Sequence, residues 1–158
     1  MLKLILILGA IALVFYGYKR LSNNPQIAAD NVRLGDEFLA TNATKAGVES
    51  RSSGLQYLVL EPGSGTEHPG PSDRVKVHYH GTLIDGTVFD SSVKRGEPID
   101  FGLNQVIAGW TEGLQTMVVG EKTRLFIPSS LGYGNSSAGS IPAGSLLIFD
   151  VELLAINP

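Results

Sequence analysis

At 158 residues the chain has room for one compact domain with a core of its own and an appendage. A net charge of −3, with lysines and arginines scattered rather than clustered, excludes the basic patch that nucleic-acid binding requires. The absence of cysteine excludes disulfides and thiolate chemistry but does not choose a redox compartment.

An almost unbroken apolar run extends from Leu4 to Tyr18, behind Lys3 and ahead of Lys19-Arg20. Its length of about fifteen residues is nearer a signal-peptide core than the roughly twenty of a spanning helix. No small-x-small cleavage motif follows, however. The bulky Val14-Phe15-Tyr16-Gly17-Tyr18 stands in its place, and its aromatics suit a membrane interface. Residues 1–20 therefore read as an uncleaved single-pass anchor, with a cleaved signal as the alternative. Lys19, Arg20 and Arg33 draw the following domain toward the cytoplasm, whereas a charged start before an apolar core is also how export begins. The side is left open, with a lean to the periplasm.

Residues 21–52 read as a helical stalk or linker. Ile27, Leu34, Phe38 and Leu39 fall along one helical stripe, Gly35 weakens it, and Ala46-Gly47 fits a helix stop. The folded domain spans 53–158, with its core in 73–158. Its first strand runs from Ser53 to Leu60, and Glu61 to Ser72 is a loop rich in glycine and proline. The stretch from Val75 to Ser92 then alternates, breaks at Asp85-Gly86 and resumes. This predicts a β-hairpin around a type I′ turn, with Val75, Val77, Tyr79 and Leu83 on the buried face. Ile99, Phe101 and Leu103 alternate as a further strand, and the apolar residues between Val106 and Met117 recur at helical spacing. Glu121 to Ile127 and Leu146 to Ile156 are strands, separated by the long loop Ser129 to Gly144. The fold class is α+β: an antiparallel sheet of about five strands with one helix on its apolar face.

No serine lies in a nucleophile-elbow setting and no cysteine exists, so covalent catalysis is excluded as the working chemistry. His78 and His80 share a strand face and could share a metal, but the remaining ligands of a closed site are missing nearby; the better reading is exposed strand histidines, with no metal and no cofactor. Large apolar side chains from separate elements converge instead: Tyr79, Phe89, Ile99, Trp110 and Phe149. Each taken alone is as well explained by the core.

The strings Val-His-Tyr-His-Gly-Thr-Leu-Ile-Asp-Gly-Thr-Val-Phe-Asp-Ser-Ser, Val-Ile-Ala-Gly-Trp-Thr-Glu-Gly-Leu, Leu-Gly-Tyr-Gly, Ile-Pro-Ala-Gly and Phe-Asp-Val-Glu-Leu-Leu closely resemble the FKBP family of peptidyl-prolyl isomerases. The resemblance runs from about Ser53 to the C-terminus. Gly35 to Val48 and Ser53 to Tyr57 look like the bacterial branch that includes the macrophage infectivity potentiators, whose members are exported and carry a longer helical dimerisation region. The stalk here is short, so dimerisation stays open.

The resemblance implies an FKBP-like half-barrel wrapped around the helix, with an apolar proline pocket between them. By position, Trp110 is implied as the pocket floor, Tyr79, Phe89 and Phe149 as its walls, and Val106 and Ile107 as its rim. The Ile107 N–H is implied to bind the substrate carbonyl. Asp90 is implied beside the twisting amide, tied to Tyr79 and Arg95, and Tyr133 as a hydroxyl donor to the substrate backbone. Ile99 stands where an aromatic is common. Ser137-Ala-Gly-Ser140 precedes Ile141 where bulkier residues often line the pocket, and Ala143-Gly144 replaces a frequent second proline and its neighbour. The implied partners are proline-containing client polypeptides and macrolides such as tacrolimus or rapamycin. The alternative function is a non-catalytic proline-binding module or holdase chaperone using the same groove.

Overall fold

The computed structural model describes residues 25–158, so the expected anchor in residues 1–20 lies outside the described residues. Among the described residues no helix is long and apolar enough to cross a membrane. Seven strands form one antiparallel sheet: β1 (Glu49–Ser50), β2 (Gln56–Glu61), β3 (Arg74–Thr82), β4 (Val88–Ser91), β5 (Ile99–Gly102), β6 (Lys122–Ile127) and β7 (Leu147–Ile156). Their order is β1-β2-β6-β7-β3-β4, with β5 also on β3. The sequence predicts about five. The strand without a counterpart among the segments read from the sequence is β1, whose two residues hold too few positions for alternation to register.

β3 and β7 are the longest strands and pair over most of their length. Both alternate strictly between buried and half-buried positions, so one face of the sheet gathers Val75, Val77, Tyr79, Leu125, Ile127, Phe149, Val151 and Leu153. Helix α3 (Ala108–Leu114) packs on that face through Trp110 and Leu114; α1 (Pro25–Asn42) and the one-turn α2 (Ser92–Arg95) are the other α-helices among the described residues. α3 is shorter than the stretch from Val106 to Met117 predicted by spacing. Ile107 is its N-cap, with non-helical backbone angles, and Met117 lies beyond it, its N–H bonded to the Leu114 carbonyl. Their apolar phase continues that of the helix only because they face the same core.

α1 corrects the expected stripe. It is buried at Ala28, Gly35 and Asn42, while Ile27 and Leu34 are 44% and 47% exposed. The helix lies too close to its neighbours for large side chains: a Cβ on Gly35 would sit 3.2 Å from Leu146 Cβ. Polar bonds fix it, from Asn31 Nδ2 to the Ala143 carbonyl and from Asn42 Nδ2 to Gln56 Oε1, each 2.9 Å. Phe38 meets Phe126 on the opposite sheet face at 5.9 Å between ring centres. From Ala28 to Asn42 the predicted stalk is thus docked on the domain.

The hairpin turn also differs from expectation. A type I′ turn needs positive φ at both central residues, but here only Gly86 has it, at +87°. Leu83 N–H bonds to Thr87 O, and Gly86 N–H to Leu83 O. These bonds define a three-residue loop closed by a left-handed glycine, with Asp85 Oδ1 accepting from Thr87 N–H at 2.9 Å.

Candidate functional site

Between α3, the inner sheet face and the loop from 133 to 141 lies a cavity of about 130 Å³. Trp110 reaches it from α3, Phe89 and Asp90 from β4, Phe149 from β7, and Tyr133 and Ile141 from the loop; Ile107 adds its side chain from the α3 N-cap. The indole of Trp110, 1% exposed, holds this arrangement together. Its ring centre lies 5.2 Å from Tyr79, 5.1 Å from Phe101 and 5.1 Å from Phe149, with edge-to-face angles near perpendicular toward Tyr79 and Phe149. Phe89 in turn meets Phe149 edge-on at 5.3 Å. Such quadrupole-matched contacts fix ring orientations as well as burying area.

Of the residues singled out in the sequence, seven line the cavity: Phe89, Asp90, Ile107, Trp110, Tyr133, Ile141 and Phe149. Four do not. Tyr79 is fully buried behind the wall, Ile99 belongs to the core at 8% exposed, Val106 is half-buried against that core, and Arg95 lies outside, reaching in through its guanidinium. Ala138, Gly139 and Ser140 line the cavity as well. Their small size is what the sequence shows, and which of them face inward depends on the Ala138–Ile141 bridge.

Asp90, its side chain only 11% exposed, is held from two sides. The Tyr79 hydroxyl donates to Oδ2 and Arg95 Nη1 to Oδ1, both in very short contacts. Arg95 Nη2 also donates to the Tyr79 oxygen at 2.9 Å, closing a triangle. Arg95 is delivered by α2, whose start is capped by Ser91 Oγ accepting from Lys94 N–H at 3.1 Å and whose end turns at Gly96. Burial, then the bond to Asp90, pushes the Tyr79 phenol well above its ordinary value. Tyr133 is pushed up to about 12, by burial first and then by the Asp90 charge. Both therefore remain O–H donors throughout the neutral and mildly alkaline range.

His78 and His80 are half-buried rather than exposed, each with Nδ1 2.9 Å from a hydroxyl, Ser92 and Ser91 respectively. The expectation of free strand histidines is corrected: the β3–β4 pairing brings the serine pair over their face. No group of three or more histidine or acidic side chains that could hold a metal occurs among the described residues.

One contributor is absent from the sequence reading. A Cβ on Gly81 would fall 2.6 Å from Phe89 Cζ and 2.9 Å from Phe149 Cε1, so a glycine lets both rings lie over the strand. A glycine inside an alternating strand was the available signal.

Comparison with known proteins agrees with this geometry. Residues 65–154 match the family model for FKBP-type peptidyl-prolyl cis-trans isomerase, and residues 12–59 the model for the domain amino-terminal to it. FKBP-type peptidyl-prolyl cis-trans isomerase FkpA of Aeromonas hydrophila is 61% identical over 130 residues, covering 82% of this chain and 48% of the relative. The outer membrane protein MIP of Legionella longbeachae is 45% identical over 140 residues, covering 88% of this chain and 60% of the relative. A crystal structure of a peptidyl-prolyl cis-trans isomerase from Pseudomonas syringae superposes with a TM-score of 0.76 at 36% identity, covering 90% of this chain and 100% of that one. The protein has the FKBP fold, an open antiparallel sheet closed around a helix, and it belongs to the FKBP-type peptidyl-prolyl cis-trans isomerase family. It spans about half to three-fifths of the length of those two curated relatives.

Gly81→Ala tests the wall. The added methyl displaces the Phe89 and Phe149 rings, with an expected cost of about 1–3 kcal/mol in stability, as for overpacking. The rate of X-Pro exchange in a peptide, measured by NMR, is expected to fall by about tenfold because the cavity loses its shape. An unchanged rate would mean that the rings do not shape the site.

Proposed function

We propose that this chain is a peptidyl-prolyl cis-trans isomerase that rotates X-Pro bonds of client polypeptides in the Trp110 cavity, without a cofactor. The observation that carries this reading is an aromatic-walled cavity into which one held carboxylate, Asp90, and one protonated phenol, Tyr133, project.

The chemistry needs no nucleophile. Resonance gives the amide C–N bond partial double-bond character and a rotation barrier of about 18–20 kcal/mol, so uncatalysed X-Pro exchange takes tens to hundreds of seconds. At the twisted transition state resonance is lost and the amide becomes less charge-separated. An apolar site therefore favours it over the planar ground state. In this reading Trp110 is the floor under the proline ring, and Phe89 and Phe149 are its walls, backed by Tyr79. The Ile107 N–H binds a substrate carbonyl, with Ile141 at the rim and Val106 supporting it from the core. Tyr133 donates to the substrate backbone, and Asp90, kept in place by Tyr79 and Arg95, accommodates the reorganised carbonyl. Both act by preorganisation rather than proton transfer. Ile99 supports the floor from the core. Proline-containing clients are the substrates, and macrolides such as tacrolimus or rapamycin are the ligand class for the same cavity, met here by the small residues 138–140.

The deciding experiment is NMR exchange spectroscopy of an X-Pro peptide with catalytic amounts of the full chain. Acceleration is expected, with Asp90→Ala lowering it by about tenfold or more while the thermal transition stays within a few degrees. A chain that binds the peptide but leaves exchange at the uncatalysed rate would instead be a binding module or holdase.

The domain division and the placement belong to the same proposal: residues 1–20 as anchor, 21–52 as linker helix, and 53–158 as the isomerase on the exported side of the membrane. The apolar run from Leu4 to Tyr18 supports this, as does the name of the Legionella relative. In spheroplasts, external protease is expected to degrade the domain while Met1 or the residue after it still begins the intact chain. A protected domain would overturn the exported side, and a start beyond Tyr18 the anchor.

A further inference from the structure

One edge of β3 is shared by two strands that do not meet. β5 pairs with residues 74–77 and β4 with residues 80–82, and Tyr79 falls in the gap. A side chain fills it. The Tyr79 N–H donates to Ser92 Oγ at 2.7 Å, and Ser92 Oγ donates back to the Tyr79 carbonyl at 3.2 Å. A hydroxyl can do both because it is donor and acceptor at one atom, whereas a ladder strand would use two backbone groups. The third partner of Ser92 Oγ is His78 Nδ1 at 2.9 Å. With its single proton directed to the Tyr79 carbonyl, the hydroxyl can only accept from His78, which would then carry its proton on Nδ1; the opposite tautomer would turn that proton toward the ring. Ser92 is fully buried, so water is not available as a substitute partner.

Ser92 is also the first residue of α2, and the last, Arg95, donates to the Tyr79 hydroxyl and to Asp90. Tyr79 is thus gripped at its backbone and at its hydroxyl by the two ends of one four-residue turn. We propose that Ser92 and His78 are positioning residues of the isomerase site: they fix β3 at Tyr79, so that the Tyr79 hydroxyl and Arg95 hold Asp90 at the cavity. This role rests on the isomerase reading above, while the clamp itself can be tested without it.

The test uses the full chain with Ser92→Ala, His78→Leu and His78→Asn, the last retaining a donor at the Nδ1 position. Ser92→Ala is expected to lower turnover of an X-Pro peptide by about five- to tenfold with peptide affinity unchanged, the size of one lost buried hydrogen-bond set. Exchange of the Tyr79 amide hydrogen is expected to speed up by at least about tenfold, while the β3 amides paired to β7 keep their protection. His78→Leu should give a smaller loss that His78→Asn restores, and imidazole nitrogen shifts should report His78 as the Nδ1–H tautomer. Turnover at the unmodified rate in Ser92→Ala would overturn the proposal. So would an unchanged Tyr79 amide, or exchange accelerated uniformly across the sheet, which marks a merely stabilising serine. An Nε2–H tautomer would remove His78 from it. If Ser92→Ala does not fold, the His78 pair decides: equal rates in Leu and Asn variants overturn the role. If the unmodified chain itself fails to catalyse exchange, the isomerase reading falls and the positioning role with it, while the Tyr79 amide and the tautomer still decide whether the clamp exists.

Discussion

The packing of Trp110 among Tyr79, Phe101 and Phe149, edge-on to the first and the last, is the contact on which the rest of the structure depends. It joins α3 to β3, β5 and β7, and so it is the centre of the hydrophobic core. The same indole is the floor of the cavity. Core and site therefore share their central residue, which explains why large aromatics from distant parts of the sequence are gathered at one point: the bulk that stabilises the sheet against the helix also keeps water away from whatever enters. A site built this way gains rigidity from packing density rather than from a dedicated scaffold.

Around that apolar centre the polar groups are few, and the carboxylate among them is tied down, while Trp110 Nε1 is buried without a hydrogen-bond partner. Asp90 is held by Tyr79 and Arg95, Arg95 is delivered by a turn capped at both ends, and Tyr79 is pinned by its backbone as well as its hydroxyl. A mobile carboxylate beside an apolar pocket would carry water with it. One with its two oxygens already occupied brings a fixed charge instead, and burial keeps both tyrosines protonated as donors. The loop from 133 to 141 contributes the remaining wall, and its base is backed by α1 through Asn31 and Ala143.

Much of this was legible in the residues, for physical reasons that differ by element. β3 and β7 are long and half-buried, so their alternation is unambiguous, and Val75, Val77, Tyr79, Phe149 and Val151 fall where period two puts them. α1 was legible as a helix but not in its orientation, because close approach selects Ala28 and Gly35 for the contact and leaves Ile27 and Leu34 outside. Asp85-Gly86 marked the turn but not its type, since a glycine fits the left-handed position of either loop while Asp85 tolerates both signs of φ. Convergence of the aromatics was visible only as a list; the resemblance implied Tyr79 as a wall, whereas it is fully buried behind Phe89 and Phe149. The Ser92 clamp was illegible for a different reason. It exists because β4 and β5 leave a gap on β3, and that gap is a property of register rather than of any local string.

In the proposed isomerase the X-Pro bond is twisted in an apolar cavity without a proton being transferred. The most direct test is the solvent isotope effect on catalysed X-Pro exchange, comparing kcat/KM in light and heavy water with the full chain. A preorganised apolar site predicts a ratio close to one, because no O–H or N–H bond is broken at the transition state. A ratio above about two would mean that Asp90 or Tyr133 works as a general acid or base, and would contradict the account.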